Sequence, residues 1–498
     1  MITRGAAAIE VSGQPLTLHY AVAGRGAPLL MLHPSPLSSA FLAPAMAQLA
    51  QQCLTIAPDT PGYGDSDSFA AQPQDMTPYC DALAALLDAL ELPQAAVYGS
   101  ATGAQIAIEF AKAYPQRVSG VILDNAADFT DADRARIMDG YFPDITPQAD
   151  GSHLARAWQV GHDLLQFFPW HLPSSAHRIA PAPASAIETG PIAAMEATAL
   201  GYLAAGPSYD HAYRVAFANE RAERVQAIQQ PTVIVRWAGS ILKPYTDRFD
   251  AVSFGDNVTM APCAADPAAR WACVAAQLPG VLPGQHAQAE DLPRAADLNG
   301  PEALPFRYIG AAGAQLRLVP LGHPATDGSA PLIAPPIGLS ARTFAAWLPR
   351  AGDAPADAWV LDLPGHGGSD PAADTGAEAM ASALTERLAS AALLGTGTEL
   401  RLYGTASALT PALRGHPLVV NLRACAWLVE GRDRAPQWPP EVVPSAGGGH
   451  LFELWHWLRR LWLMQDSAPP APHWLTSALV DLLRTHALWT ALKEEFGP

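Results

Sequence analysis

The sequence predicts an α/β architecture laid down twice in tandem: mostly parallel sheets flanked by helices, with helical lids. Three observations carry this. Apolar runs such as Pro28–Leu32 and Val118–Leu123 lack polar alternation, as strands buried on both faces of a parallel sheet do. These runs alternate with helix-length stretches, the pattern of a sheet wound by crossover helices. The order of segments that begins near Ala27 begins again near Ala330.

At 498 residues the chain is too long for one ordinary domain. The pattern divides it into a complete domain over 1–280 with a lid at about 140–229, a Pro-, Gly- and Ala-rich linker over 281–305, and a truncated domain over 306–498. Forty-seven acidic residues against thirty basic ones give a net charge of −17. That balance, without Lys/Arg clusters, argues against nucleic acid and anionic membrane surfaces as partners. No uninterrupted apolar run reaches the roughly 18 residues of a transmembrane helix, and the N-terminus lacks the apolar core of a secretory signal. Cys53, Cys80, Cys263, Cys273 and Cys425 are scattered without metal-ligand spacing, and read as reduced thiols of a cytoplasmic protein. Neither a metal nor an organic cofactor is expected, since no dinucleotide-type glycine fingerprint with its following acid occurs.

Taken in order, residues 8–24 predict a β-hairpin turning at Gly13-Gln14, and Pro28–Leu32 a buried strand ending at His33-Pro34-Ser35-Pro36. A helix over Ala40–Gln51 leads to the strand Cys53–Ala57, and then to Pro58-Asp59-Thr60-Pro61-Gly62-Tyr63-Gly64-Asp65-Ser66-Asp67. The helix Tyr79–Leu90 precedes a short strand that closes on Val97-Tyr98-Gly99-Ser100-Ala101-Thr102-Gly103-Ala104 and runs straight into a helix. Val118–Leu123 is the next strand, ending at Asp124-Asn125. The sheet resumes at Pro231–Arg236, with Ala251–Phe254 and Val258–Met260 as alternatives for its last strand.

A strand that turns sharply into a helix through G-x-x-x-G is a nucleophile elbow, where glycines let strand and helix approach closely and the middle residue stands exposed. With the His33 turn, the P-D-x-P-G-Y-G-D-S-D run and this elbow in order, the segment over about 8–280 resembles the α/β-hydrolase superfamily. Its lid-bearing branch of epoxide hydrolases, haloalkane dehalogenases and small esterases is most similar. The resemblance implies a mostly apolar pocket under the lid, suited to a small hydrophobic molecule.

The reaction of that family needs a nucleophile, a carboxylate and a proton-shuttling His. The elbow centre is Ala101, whose methyl group cannot attack. The stretch Trp237–Leu242 after the seventh strand offers no carboxylate before Asp247, and Ala261–Pro267 after the last strand offers no His. What remains are candidates. His33 sits beside the expected oxyanion hole, with a structural hydrogen-bonding role as the plainer reading and acid–base work as the sharper one. Asp124 ends the sixth strand, where some superfamily members place their acid; the plainer reading is a loop anchor. His153, at the start of the lid helix, is a third acid–base candidate, with capping as its alternative. Ser100, Ala101, Thr102 and Trp158 are candidate substrate-binding residues; the backbone N–H of Thr102 would serve as an oxyanion donor.

The second copy repeats Ala330-Pro331-Leu332-Ile333, Val360–Asp370 and Leu402–Ala408 in order, and Gly448-Gly449-His450-Leu451 matches Gly151-Ser152-His153-Leu154. Ala406 stands at its elbow centre, Ala408 replaces the closing glycine, and Pro336 takes the place of His33. A helical stretch over Ser477–Glu494 ends it, before the last two core strands. The exposed sheet edge that follows implies a cover, from the first copy or from a second subunit. Three functional readings stay open: an enzyme using acid–base groups for lyase, isomerase or unusual hydrolytic chemistry on a small apolar substrate, a catalytically inactive relative that binds a small hydrophobic molecule or scaffolds a partner, and an ordinary hydrolase with a displaced nucleophile.

Overall fold

The computed structural model describes residues 1–179, 192–289, 291–292, 304–350, 354–394, 398–414, 421–425, 429–430, 435–436, 438–463 and 471–496. Contacts divide the chain into two compact units, Met1–Thr146 with Arg156–Glu302, and Pro147–Ala155 with Ala303–Pro498.

The first unit is built on nine strands: β1 (Ile2–Val11), β2 (Gln14–Gly26), β3 (Pro28–Leu32), β4 (Leu54–Pro58), β5 (Ala95–Ser100), β6 (Val118–Asp124), β7 (Thr232–Trp237), β8 (Val258–Cys263) and β9 (Ala287–Gln288). Their order is β1-β2-β4-β3-β5-β6-β7-β8, with β9 paired to β2. From β4 to β8 neighbouring strands run parallel, while β1 and β2 form an antiparallel hairpin. Ser12 and Gly13 both take positive φ, 52° and 80°, the conformation of a tight two-residue hairpin turn. The hairpin starts at Ile2, well before the predicted position 8, because Gly5 and its alanine neighbours carry no readable alternation of size. Gly5 is where the Tyr20 ring packs: a Cβ there would lie 2.5 Å from it. Segment 251–254 forms no strand; a 3-10 turn at Asp247–Ala251 leads to β8 as the last parallel strand.

One face of this sheet packs Leu29, Met31, Tyr98, Ile122 and Val235 against Leu42, Met46 and Leu49 and against Val274, Leu278 and Val281 of helix Pro267–Val281. Helices Thr77–Ala89 and Thr102–Ala113 pack on each other and on the sheet. Between β6 and β7 the chain forms helices Asp131–Gly140, Ser152–Asp163, Ile192–Ala205, His211–Asn219 and Ala222–Gln226. Phe129, Tyr141, Phe168 and Phe217 of that segment make a mostly edge-to-face ring cluster with Tyr245, which follows β7, with centroids 4.7–6.3 Å apart.

The second unit holds β10 (Arg307–Ile309), β11 (Leu316–Leu321), β12 (Leu332–Ala334), β13 (Ala358–Leu361), β14 (Glu399–Tyr403) and β15 (Asn421–Cys425), in the order β10-β11-β13-β12-β14-β15. The 477–494 stretch is two helices, Pro472–Arg484 and His486–Phe496, broken at Thr485.

Each unit has an aspartate at the end of a central strand around which a loop is wound. Asp59 accepts from the Ser39 N–H at 2.7 Å and the Asp65 N–H at 2.9 Å, and pairs with His19 Nδ1 at 2.8 Å. Asp362 accepts from the Ala341 N–H at 2.5 Å and the Gly368 N–H at 2.8 Å, and pairs with Arg317 Nε at 2.6 Å. Burial works against the Asp59 charge, yet His19, His33 and Ser39 outweigh it and hold the carboxyl below its ordinary value.

Candidate functional site

Three neighbouring strands of the first unit end together. Leu32 of β3 lies opposite Gly99 of β5, and Ser100 of β5 opposite Asp124 of β6. His33, the Ser100-Ala101-Thr102 turn and Asp124 therefore share the carboxyl edge of the sheet, where open α/β sheets place their ligands.

Ala101 is held at φ 50°, ψ −112°, a conformation that costs a non-glycine residue on the order of 1–3 kcal/mol. Its N–H donates to the Asp124 carbonyl at 3.0 Å, and its own carbonyl accepts from Ala104 at 2.9 Å and Gln105 at 3.2 Å. The flanking glycines are a steric necessity. A Cβ at Gly99 would stand 2.2 Å from the Gly103 carbonyl, and one at Gly103 would stand 2.3 Å from that of Leu32. The first N–H groups of the helix that starts at Thr102 have no intrahelical acceptors. The Thr102 hydroxyl beside them is buried without a hydrogen-bond partner.

Beneath the turn lies a buried polar network. Asp124 Oδ2 accepts from Arg270 Nε at 2.6 Å and from the Tyr98 hydroxyl at 2.7 Å. Arg270 Nη2 reaches the Tyr98 oxygen at 3.3 Å and the Ser100 hydroxyl at 3.2 Å, and Asn125 Nδ2 approaches that hydroxyl at 3.4 Å. The guanidinium lies against the rings of Trp237 and Trp271, 4.8 and 5.0 Å from their centroids. Burial opposes its charge, but Tyr98 and Asp124 outweigh that and hold the Arg270 pKa above its ordinary value. The Tyr98 hydroxyl is pushed up, by burial first and by Asp124 second.

Arg270 was not among the sequence candidates. It comes from helix Pro267–Val281, which Asp266 caps by accepting from the Ala268 N–H at 2.6 Å. The readable signal was its spacing: Arg270, Val274, Leu278 and Val281 are the buried positions of that helix, so an arginine heads an apolar stripe.

His33 is buried, with both ring nitrogens engaged by backbone. Nε2 accepts from the Thr60 N–H at 2.9 Å and Nδ1 donates to the Pro34 carbonyl at 3.1 Å. Burial, opposed by Asp59, pushes its pKa down. His153 belongs to the second unit, where Nδ1 accepts from the Gln148 N–H at 3.1 Å and Nε2 meets the Thr476 hydroxyl at 2.9 Å. Trp158 is buried on helix Ser152–Asp163 of the first unit. The sheet thus gathers His33, Ser100, Ala101, Thr102 and Asp124 at one edge, while His153 falls in the other unit.

A second residue outside the sequence candidates is Glu220, buried just after helix His211–Asn219. Its carboxyl bonds to the Ala127 backbone, its Oε2 is buried without a partner, and burial raises its pKa well above the ordinary carboxylate range. Among the described residues no helix is long and apolar enough to cross a membrane.

Residues 27–236 match the family model described as alpha/beta hydrolase fold. The 2-hydroxymuconate semialdehyde hydrolase of Pseudomonas sp. (strain CF600) is 35% identical over 107 residues, covering 21% of this chain and 38% of that protein. An uncharacterized protein of Mycobacterium tuberculosis is 32% identical over 111 residues, 22% of this chain and 32% of its own length. The matched segment thus spans only about a third of these relatives, 32% and 38% of their lengths. Among solved structures, epoxide hydrolase A from Mycobacterium thermoresistibile aligns over 56% of this chain and 99% of its own, at 20% identity and a TM-score of 0.42. A thermophilic esterase from Thermogutta terrifontis aligns over 56% and 97%, at 16% identity and a TM-score of 0.40.

Proposed function

We propose that the chain is a member of the alpha/beta hydrolase superfamily, whose model matches residues 27–236, that it lacks covalent hydrolytic chemistry, and that its first unit keeps a roofed pocket for a small apolar molecule. The observation that carries this is the Asp124–Arg270 ion pair under Ala101. Hydrolysis through an elbow needs an attacking oxygen or sulfur, an imidazole and a carboxylate in hydrogen-bond reach of one another. At this elbow the attacking position is a methyl group. Asp124 Oδ2 is committed to a guanidinium and a phenol, and both nitrogens of His33 are committed to backbone. The Ser100 hydroxyl meets Arg270 and Asn125, not an imidazole. In this scheme His33 and His153 position loops, and the helices and ring cluster between β6 and β7 form the lid.

The second unit is, on the same reading, a degenerate duplicate of the first. Its strand order repeats β1-β2-β4-β3-β5-β6, and the Asp59 and Asp362 loops match partner by partner. Gly151 and Gly448 take φ 79° and 69°, and each precedes a histidine whose Nδ1 accepts from a backbone N–H, Gln148 for His153 and Ser445 for His450. Among the described residues its sheet stops at β15, and pairing with the first unit or a second copy is the cover we propose for that edge. We assign the protein to the cytoplasm, in keeping with the free Cys53 and Cys80.

A second reading is favoured by Glu220. A carboxyl whose pKa burial raises holds its proton more tightly than an ordinary one, which suits it to donate that proton in lyase-type chemistry on a bound molecule. The test of the first reading is a fluorophosphonate probe on the folded chain, with no labelling expected; a labelled serine overturns it. Ala101→Ser should remain without esterase activity, and native mass spectrometry with a panel of small aromatic and aliphatic acids and esters should show a one-to-one adduct. Turnover of any such ligand that disappears in Glu220→Gln would move the assignment to the second reading.

A further inference from the structure

Cys263 closes β8, and after a three-residue connection Cys273 lies in the second turn of helix Pro267–Val281. Each thiol reaches toward the other's element: Cys263 Sγ toward the Ala269 carbonyl at 3.3 Å, Cys273 Sγ toward the Ala261 carbonyl at 4.0 Å. Both are partly exposed, whereas Cys53 and Cys80 are buried. Two partly exposed thiols, each directed at the other's element across one strand–helix junction, have little chain to move before they bond.

We propose that Cys263 and Cys273 form an oxidisable dithiol, a modification site that closes to a disulfide under hydrogen peroxide. The chemistry balances in two steps. The Cys263 thiolate attacks one peroxide oxygen, the O–O bond breaks, and Cys263 sulfenic acid and hydroxide result. The Cys273 thiolate then attacks the sulfenic sulfur, the S–S bond forms as the S–O bond breaks, and the second oxygen leaves as hydroxide. With the two thiol protons, the products are one disulfide and two waters, the peroxide being reduced.

Burial pushes the Cys263 thiol up to about 11, helped by its neighbour thiol and opposed by Arg270. Its thiolate is scarce at neutral pH, so closure is slow there and quickens about tenfold per pH unit up to pH 10. The bond would tie the start of the helix to β8, and Arg270 lies one turn before Cys273 on that helix. Trp271 is two residues from Cys273, and Trp237 lies opposite Cys263 in the sheet register, so both indoles report the event.

The experiment treats the full chain with hydrogen peroxide, blocks remaining thiols under denaturing conditions and digests it with trypsin without reductant. Cleavage after Arg248, Arg270 and Arg294 puts the two cysteines on separate peptides, 249–270 and 271–294. The expected result is one peptide pair joined by a disulfide, absent from Cys263→Ser and from Cys273→Ser, retained in Cys53→Ala, and accompanied by a tryptophan emission change that dithiothreitol reverses. Oxidation of the wild-type chain to sulfinic acids without the joined pair overturns the proposal. So does a joined pair that forms only between two chains, read by mixing isotopically labelled and unlabelled protein.

Discussion

At the end of β5 the chain reads Gly99-Ser100-Ala101-Thr102-Gly103, and at the end of β14 it reads Gly404-Thr405-Ala406-Ser407-Ala408. The first turn is sharp: Ala101 takes φ 50° and an α-helix begins at the next residue. The second is slack. There Gly404 takes the positive φ, 55°, Ala406 is not among the positive-φ residues, and Gly404–Leu409 wind as a 3-10 helix before the α-helix Thr410–Arg414. The difference traces to the closing position. Gly103 packs so close to the Leu32 carbonyl that no Cβ fits, and Ala408 carries one. The aspartate loops behave in the opposite way, since Asp59 and Asp362 accept from corresponding backbone N–H groups although one pairs with an imidazole, His19, and the other with a guanidinium, Arg317. Strain persists only while its supports persist, whereas a buried carboxylate with charge-assisted bonds tolerates a change of partner.

The largest expected effect separates the two loops. Asp362→Ala takes the carboxylate away from buried Arg317, which cannot shed its proton, and should cost about 3–5 kcal/mol by urea denaturation. Asp59→Ala should cost less, because an imidazole, unlike a guanidinium, is able to exist without a charge; equal losses would remove the distinction. Arg270→Met strands Asp124 at a similar cost of about 3–5 kcal/mol, and the Arg270→Met/Asp124→Asn pair should recover most of it.

The turns come next. Gly103→Ala should destabilise the first unit by about 1–3 kcal/mol as Leu32 is displaced. Ala101→Gly should stabilise it by about 1 kcal/mol through relief of φ strain. Ala406→Gly should instead cost about 0.5–1 kcal/mol, so a gain there would show that the second turn is strained after all.

The smallest and most graded effects are those of pH. Glu220 has a folded pKa above its unfolded value of about 4.3. Its contribution is therefore fully present below that value and lost as pH rises through the folded pKa, so Glu220→Gln should flatten the alkaline decline in melting temperature. His33 and His366 are both pushed down by burial. Their contributions are present above about pH 6.5 and are lost as pH falls toward the folded values. The two units should share this acid decline although their histidines lie in different loops. His33 Nε2 accepts from Thr60, His366 Nε2 from Gly338, each at 2.9 Å.

The central strands of the first unit were legible because β3, β4 and β5 are buried along their whole length and mostly apolar, with Thr55 and Ser100 as their polar residues. The hairpin start was not, since alanine and glycine give no contrast between faces. The 251–254 run looked like a strand through Val252 and Phe254, but the backbone is already turning through a 3-10 helix at Asp247–Ala251. At the site, the strand-end positions of His33, Ala101 and Asp124 followed from the motif spacing. The Asp124–Arg270 pair did not, because its partners are 146 residues apart and meet only after β7 and β8 have been laid down. Glu220 was equally silent, as nothing local distinguishes a buried glutamate after a helix from a solvated one.

The aspartate loops also bear on how fast each unit can fold. Asp59 joins His19 across 40 residues and Thr17 joins Asp67 across 50; Asp362 joins Arg317 across 45 and Gln315 joins Asp370 across 55. Contacts so distant in sequence demand loop closure before they return any stability, which slows folding. The closure entropies of the 40- and 45-residue loops differ by only about 0.1 kcal/mol. Closing the two aspartate loops thus meets nearly the same topological barrier, and any gap between the rates at which these loops form measures sequence, not connectivity.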